Sequence, residues 1–180
     1  MTFSLNDGEI AWFCKGTSHS RGDLQYSNPI VAGKLCFVTG GYSGPAFTFR
    51  MEGSGDITDK SRVWRTEKSP QSIGTGVFID GYIYRPNAGP ATIECIDPAT
   101  GKVLWKDRGP GANSWGSISV AGDHCYLTGQ NGATAVFKPN PKKFELVSLN
   151  KIGENSNSTP AIADGRIYLR TFKSVYCFGK

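Results

Sequence analysis

The feature that most constrains this chain is a hairpin signal that recurs along its length. The fullest copy is Ala91–Trp105, ATIECIDPATGKVLW. Residues 91–96 read as a strand, 97–101 as a turn, and 102–105 as a returning strand. Asp97 opens the turn, the ring of Pro98 fixes its own φ in advance, and Gly101 supplies the left-handed residue. A loop of this length closed by Gly is a hairpin signature. Trp105, at the end of the outgoing strand, carries a large ring that needs a surface to bury against. One hairpin offers no such surface, so the pattern has to repeat.

It does. Gly8-Glu-Ile-Ala-Trp12 matches Gly101-Lys-Val-Leu-Trp105 after a slightly shorter turn, so the chain opens in the second half of a unit. Phe3–Leu5 reads as the strand before that turn. A polar loop, 15–27, leads to the next unit. There a short apolar strand, a tight turn at Gly33 and an alternating strand are followed by strands at 46–50 and 62–65 carrying Trp64. The segment 51–60 between them reads as a long hydrophilic loop. The same pair of strands returns around Gly81, Gly122 and Gly165, so the turn glycines recur with a period in the forties. In the third unit the closing hairpin, 134–147, has no Trp, and the last unit ends after its third strand, 174–178. Four strands in a period of that length are what a β-propeller blade occupies.

These readings predict an all-β, four-stranded antiparallel architecture over 1–180. It divides into a half blade at 1–13, blades at 27–66, 75–106 and 115–147, and an incomplete final blade at 159–180. The redundant strand at Phe3–Leu5 favours an open arc from a larger propeller, with blades missing at its N-terminal end. The alternative is a small ring closed by pairing Ile10–Phe13 with Ser174–Phe178. Gly179-Lys180, just after the third strand, reads as a natural end.

Composition narrows the function classes. The chain has 180 residues, room for one domain with a real core. Its net charge of +5 comes from residues scattered over turns, such as Lys15, Arg21, Lys34, Lys102 and Lys173. Only Lys138 and Lys142-Lys143 approach a cluster, so the stripe that nucleic acid requires is missing. No apolar run approaches the ~20 residues of a membrane span. The first twenty residues carry Asp7 and Glu9 without a continuous apolar core, which speaks against a signal peptide in this chain. Five cysteines cannot all pair within one chain. Cys36 and Cys125 share one context, Cys95 and Cys177 another, all in apolar strands, so the expectation is small buried thiols. With no CxxC and only His19 and His124, no metal site is predicted.

The run Cys95-Ile-Asp97-Pro-Ala-Thr100-Gly101-Lys-Val-Leu-Trp105 resembles the PQQ-like (quinoprotein) propeller repeat, Ala-x-Asp-x-x-Thr-Gly-x-x-x-Trp. Cys stands for the leading Ala, and Asp164–Tyr168 resembles the family's second-strand start. The resemblance gives Trp12, Trp64, Asp97, Thr100, Gly101 and Trp105 structural roles. The Trp12, Trp64 and Trp105 rings are expected to be more buried than Trp115. It also implies an extracytoplasmic, periplasmic setting. Quinone enzymes of the family hold PQQ with calcium, use an Asp base and often carry a vicinal disulfide. Non-catalytic members, including the lipoprotein subunit of the bacterial outer-membrane assembly machine, use the propeller as a docking surface.

In a propeller the loops leading into each innermost strand share one face around the channel with the loops between second and third strands. Here the first set is 25–28, 72–75, 113–116 and 157–159, small and polar, with Tyr26 and Trp115 its only aromatics. The second set includes 40–45 and 85–90. Tyr26, Asn113, Trp115 and Asn157 are the candidate contacts for a planar or sugar-like ligand or a protein partner. On the plainer alternative Trp115 covers the end of the strand barrel and the Ser and Asn residues cap turns. The funnel offers no Asp or Glu, and Asp23, Asp56, Asp59 and Asp107 lie in other loops. No vicinal Cys pair exists, so no cofactor is expected. PQQ with calcium belongs to the alternative in which missing blades of a quinoprotein alcohol dehydrogenase carry the site.

Overall fold

A computed structural model describes residues 1–20 and 24–179. Arg21 and Asp23, and the chain end at Lys180, lie outside the described residues. Three sheets have four antiparallel strands each in chain order. The first comprises β3 (Ile30–Ala32), β4 (Leu35–Thr39), β5 (Ala46–Arg50) and β7 (Arg62–Thr66). The second comprises β8 (Val77–Ile79), β9 (Tyr82–Asn87), β10 (Thr92–Ile96) and β11 (Val103–Asp107). The third comprises β12 (Ser119–Ala121), β13 (His124–Thr128), β14 (Ala133–Lys138) and β15 (Glu145–Lys151). A last sheet has three strands, β16 (Ala161–Ala163), β17 (Arg166–Arg170) and β18 (Val175–Phe178). Each is a propeller blade, and β3 lies beside β8 and β12 beside β16, as innermost strands do.

The turn joining the first two strands of each blade is a tight pair: 33–34, 80–81, 122–123 and 164–165. Glycine takes the first place in two of these turns (Gly33, Gly122) and the second in the others (Gly81, Gly165). In the latter pair Asp80 (φ 49) and Asp164 (φ 50) join their glycines in the left-handed region, as primed hairpin turns require. Measured from turn to turn, the second, third and last blades are evenly spaced, and the first interval is longer. The glycines themselves are less regular, because glycine changes place within the turn.

Blades stack through apolar faces. Ile30, Ala32, Phe37 and Ala46 of the first blade bury against Ile83 and Ile96 of the second. Tyr84, Ile93 and Cys95 of the second meet Ile118, Cys125, Leu127 and Phe137 of the third. The tryptophans join these layers. Trp64 donates its indole N–H to Pro98 O (2.8 Å) in the next blade, and Trp105 does the same to Asn140 O (2.8 Å). The Asp97 turn receives Trp64. The Asp97 side chain accepts from Ala99 N and Thr100 Oγ1 (2.8 Å each), and Gly101 N donates to Asp97 O. A Cβ on Gly101 would lie 2.7 Å from the Trp64 ring, so the position is glycine for clearance as well as for its φ of 75°. All four tryptophans are half-buried.

Two segments differ from the sequence reading. The strand at Phe3–Leu5 is β1 (Thr2–Phe3), paired with β2 (Ile10–Phe13), and Leu5 is exposed. The loop 51–60 holds a very short strand, β6 (Gly55–Asp56), parallel to β2, and one helical turn, α1 (Thr58–Ser61). The cause is Ile57, the one buried apolar residue of that loop, which packs with Cys36, Phe47 and Phe49. Asp56 then caps Thr58 N (3.1 Å) and pairs with Lys15 (2.8 Å). The half blade thus lies on the first blade, with Trp12 edge-on to Phe49 (5.6 Å, 75°). Among the described residues β2 makes no ladder with β18, and the arc is open.

Candidate functional site

The segment before each innermost strand uses its five positions in the same way. The first position is Leu24, Gln71, Asn113 and Asn155, which keep the same intervals as the blade turns. Its carbonyl accepts the N–H of Gly41, Ala88, Gln130 or Phe172 (2.8, 2.8, 2.8 and 2.9 Å), in the loop between second and third strands of the same blade. The second position holds buried Ser72, Ser114 and Ser156 in the later blades. Ser72 Oγ donates to Pro86 O (3.0 Å) and Ser156 Oγ to Arg170 O (2.7 Å). The fourth position, Ser27, Gly74, Gly116 and Ser158, is where successive blades touch near the axis. A Cβ on Gly74 would stand 1.9 Å from Gly116 O, and one on Gly116 would stand 2.5 Å from Ser158 O. The fifth position staples each blade to the next. Asn28 N donates to Thr75 Oγ1 (3.0 Å), Thr75 N to Ser117 Oγ (2.9 Å), and Ser117 N to Thr159 Oγ1 (2.8 Å).

The third position remains: Tyr26, Ile73, Trp115 and Asn157. Three of the four residues singled out from sequence therefore occupy equivalent places, one per blade. Asn113 stands two positions earlier, where the carbonyl ties down its own blade. Tyr26 is 50% exposed and meets the Tyr42 ring edge-on (5.9 Å, 67°). Asn157 is exposed, whereas Ile73 and Trp115 are half-buried. Among the described residues the buried Trp115 Nε1 has no hydrogen-bond partner. An unmet buried donor costs about 1–3 kcal/mol.

Sequence reasoning missed Ile73 and Tyr42. Aligning the blades by their turns, in place of their glycines, finds Ile73. Tyr42 and Ser43 carry φ of 50° and 64° in a turn closed by Gly44 N on Gly41 O (3.0 Å). That conformation is rare outside glycine and costs about 1–3 kcal/mol per residue. It holds the Tyr42 ring, 41% exposed, against Tyr26. A shallow cleft of about 560 Å³ runs along the innermost strands, lined by Asn28, Val31, Thr75, Phe78 and Val120 among others.

The segments 24–28, 71–75, 113–117 and 155–159 contain no charged residue. The adjoining carboxylate, Glu154, has both oxygens engaged by Thr171 Oγ1 (2.6 Å) and Tyr176 OH (2.9 Å). Those two hydrogen bonds hold its carboxyl below the usual range, the wrong direction for a general base at neutral pH. Glu94 is buried between Arg85 (2.6 Å) and Lys106 (2.8 Å). Among the described residues no three His, Cys, Asp or Glu side chains converge as a metal site. A calcium-bound quinone needs several oxygen ligands, carboxylates among them, and this donor set does not fit one.

The family model described as outer membrane protein assembly factor BamB matches residues 2–107 and again 89–178. The chain belongs to this PQQ-like propeller repeat family. Solved propellers agree in fold. BamB from Moraxella catarrhalis superposes with a TM-score of 0.66 at 11% identity, over 86% of this chain and 46% of that one. This chain thus spans less than half of that propeller's length. The computationally designed Ika4 protein gives 0.63 at 9% identity, over 96% and 98% of the two chains. A europium-containing methanol dehydrogenase gives 0.53 at 18%, over 80% and 26%. No curated protein matches. Among the described residues no helix is long and apolar enough to cross a membrane.

Proposed function

We propose that this propeller arc is a non-catalytic binding scaffold that engages a protein or small-ligand partner on its channel face, without PQQ or metal. The observation that carries the reading is the division of labour in the segments before the innermost strands. Hydrogen bonds, buried serines and close backbone approach occupy four positions, and the third presents Tyr26, Ile73, Trp115 and Asn157. Rings, an aliphatic side chain and an amide without charge suit apolar and hydrogen-bonding contact rather than proton transfer. The part of the Trp115 ring that stays exposed offers an apolar contact surface. The family match to an outer-membrane assembly factor supports a protein partner and an extracytoplasmic, periplasmic setting.

The test places a photoreactive phenylalanine analogue at Ile73 in the source cells, with the same substitution at Val147 on the outer strand as control. The reading expects one discrete protein adduct from position 73 and none from 147. Equal labelling from both positions would contradict it, and none from either would rule out the protein partner.

A further inference from the structure

Two neighbouring gaps between whole blades are packed with different chemistry. In the gap between the second and third blades, Leu127 and Ala135 face each other across the β13–β14 ladder, both fully buried. In the gap between the first and second, the same ladder places on β9 and β10 belong to Arg85 and Glu94. The residue facing them from the preceding blade changes as well. Ile93 lies two residues before the ladder partner of Tyr84, and Ala46 lies two before that of Phe37. One gap is thus closed by Ile93 and Leu127 inside an apolar core. The other has a shortened side chain, a buried ion pair and a cavity of about 310 Å³. Packing alone does not call for that pair, since the next gap closes without one and an apolar replacement of a buried pair is often neutral or stabilising.

The cavity has an amphipathic lining. Its apolar part includes Phe37, Ala46, Trp64 and Ile96. Its charged part is Arg65, Lys68 and Arg85, with no carboxylate among the lining residues. Arg65 pairs with Glu67, and Arg85 with Glu94, which it shares with Lys106. Lys68 is exposed and has no ion pair among the described residues. Arg85 is fixed in place, with Nη1 on Thr39 Oγ1 (3.2 Å) and Thr39 Oγ1 in turn on buried Ser69 Oγ (3.1 Å). Such a wall is ordered before any ligand arrives, which lowers the cost of binding. The volume is at the small end of ligand pockets.

We propose that this gap binds a small organic monocarboxylate. Its apolar body lies against Phe37, Ala46, Trp64 and Ile96, and its carboxylate meets Lys68 in the field of Arg65 and Arg85. One unanswered lysine on the lining matches a single negative charge, which favours a carboxylate over a phosphate monoester carrying about −1.5 to −2 at pH 7. The site lies between two whole blades and shares no residue with Tyr26, Ile73, Trp115 and Asn157, so it is independent of the channel-face reading.

The test is NMR titration of the full chain at neutral pH and low salt with hexanoate and benzoate. Hexanol, which lacks the charge, and inorganic phosphate, which lacks the apolar body, are the controls. At least one carboxylate is expected to saturate and to shift the Trp64 indole N–H resonance, while those of Trp12 and Trp115 stay in place. Hexanol and phosphate should each bind at least about tenfold more weakly than the better carboxylate. Lys68→Ala, at an exposed residue, should weaken that carboxylate about tenfold and leave hexanol unchanged. Lys143→Ala, the same loss of charge at an exposed residue outside the lining, should bind as the wild type does. Saturable binding by neither carboxylate would overturn the proposal. So would hexanol or phosphate binding as tightly as the better carboxylate, or equal carboxylate affinity in Lys68→Ala and wild type.

Discussion

Arg85 and Glu94 form a buried ion pair (2.6 Å). Both side chains are almost wholly buried, and Arg85 also reaches Thr39 of the first blade (3.2 Å), so the pair joins two blades. Burial alone pushes the Glu94 carboxyl up, but Arg85 and Lys106 outweigh it and leave it below the usual range. A depressed carboxyl contributes stability above its unfolded pKa of about 4.3, and that contribution is lost as pH falls through the folded value. Glu94→Gln leaves Arg85 buried without a counter-charge and is expected to cost about 3–5 kcal/mol at pH 7 by urea unfolding. The loss should shrink as pH falls below about 4. A variant whose unfolding midpoint runs parallel to wild type across that range would contradict the assignment. The thiols give a second check. Burial raises Cys36 and Cys95 to about 11 and Cys125 to about 12, while Cys14 is half-buried and Cys177 exposed. A thiol reagent at mildly alkaline pH should therefore reach at most Cys14 and Cys177 before unfolding, and reaction at any third cysteine would argue against this packing. Sequence context alone grouped Cys177 with buried Cys95. Their repeat positions match, and what differs is the following blade, which covers one and not the other.

At the scale of the hairpin, the Asp97–Trp105 motif was legible because each residue has a local reason to be there. Asp97 and Gly101 make the turn, and Trp64 needs that turn as its docking surface. Trp105→Ala removes a ring packed against Tyr84 and Phe144 together with its bond to Asn140, and is expected to cost about 3–5 kcal/mol in chemical denaturation. A loss below about 1 kcal/mol would show that the hairpin does not hold neighbouring blades together. Gly116→Ala should be severe for a different reason, because its Cβ would meet Ser158 backbone and no side chain can give way. If its unfolding midpoint matched wild type, the close approach of blades at the axis would be wrong. The fold of 51–60 was not legible, since one apolar residue, Ile57, decides it and carries no periodicity. The small polar residues near the channel were legible as a set but not in their roles. Thr75, Ser117 and Thr159 become staples only when the next blade is in place.

For the whole molecule, repetition made the architecture readable and hid the site. Evenly spaced turns and strands predict blades from local chemistry, whereas the proposed binding face is built from one position per blade, each a full repeat from the next along the chain. Tyr26, Trp115 and Asn157 stood out as an aromatic or amide among small residues. Ile73 did not, because an aliphatic side chain in a β protein carries no such mark. The central claim is that this face binds without catalysing. It is tested most directly by incubating the chain with pyrroloquinoline quinone and calcium and following dye-linked alcohol oxidation. The carboxylate-poor face and the engaged Glu154 predict no turnover above a heat-killed control, and turnover that depends on both quinone and calcium would contradict the account.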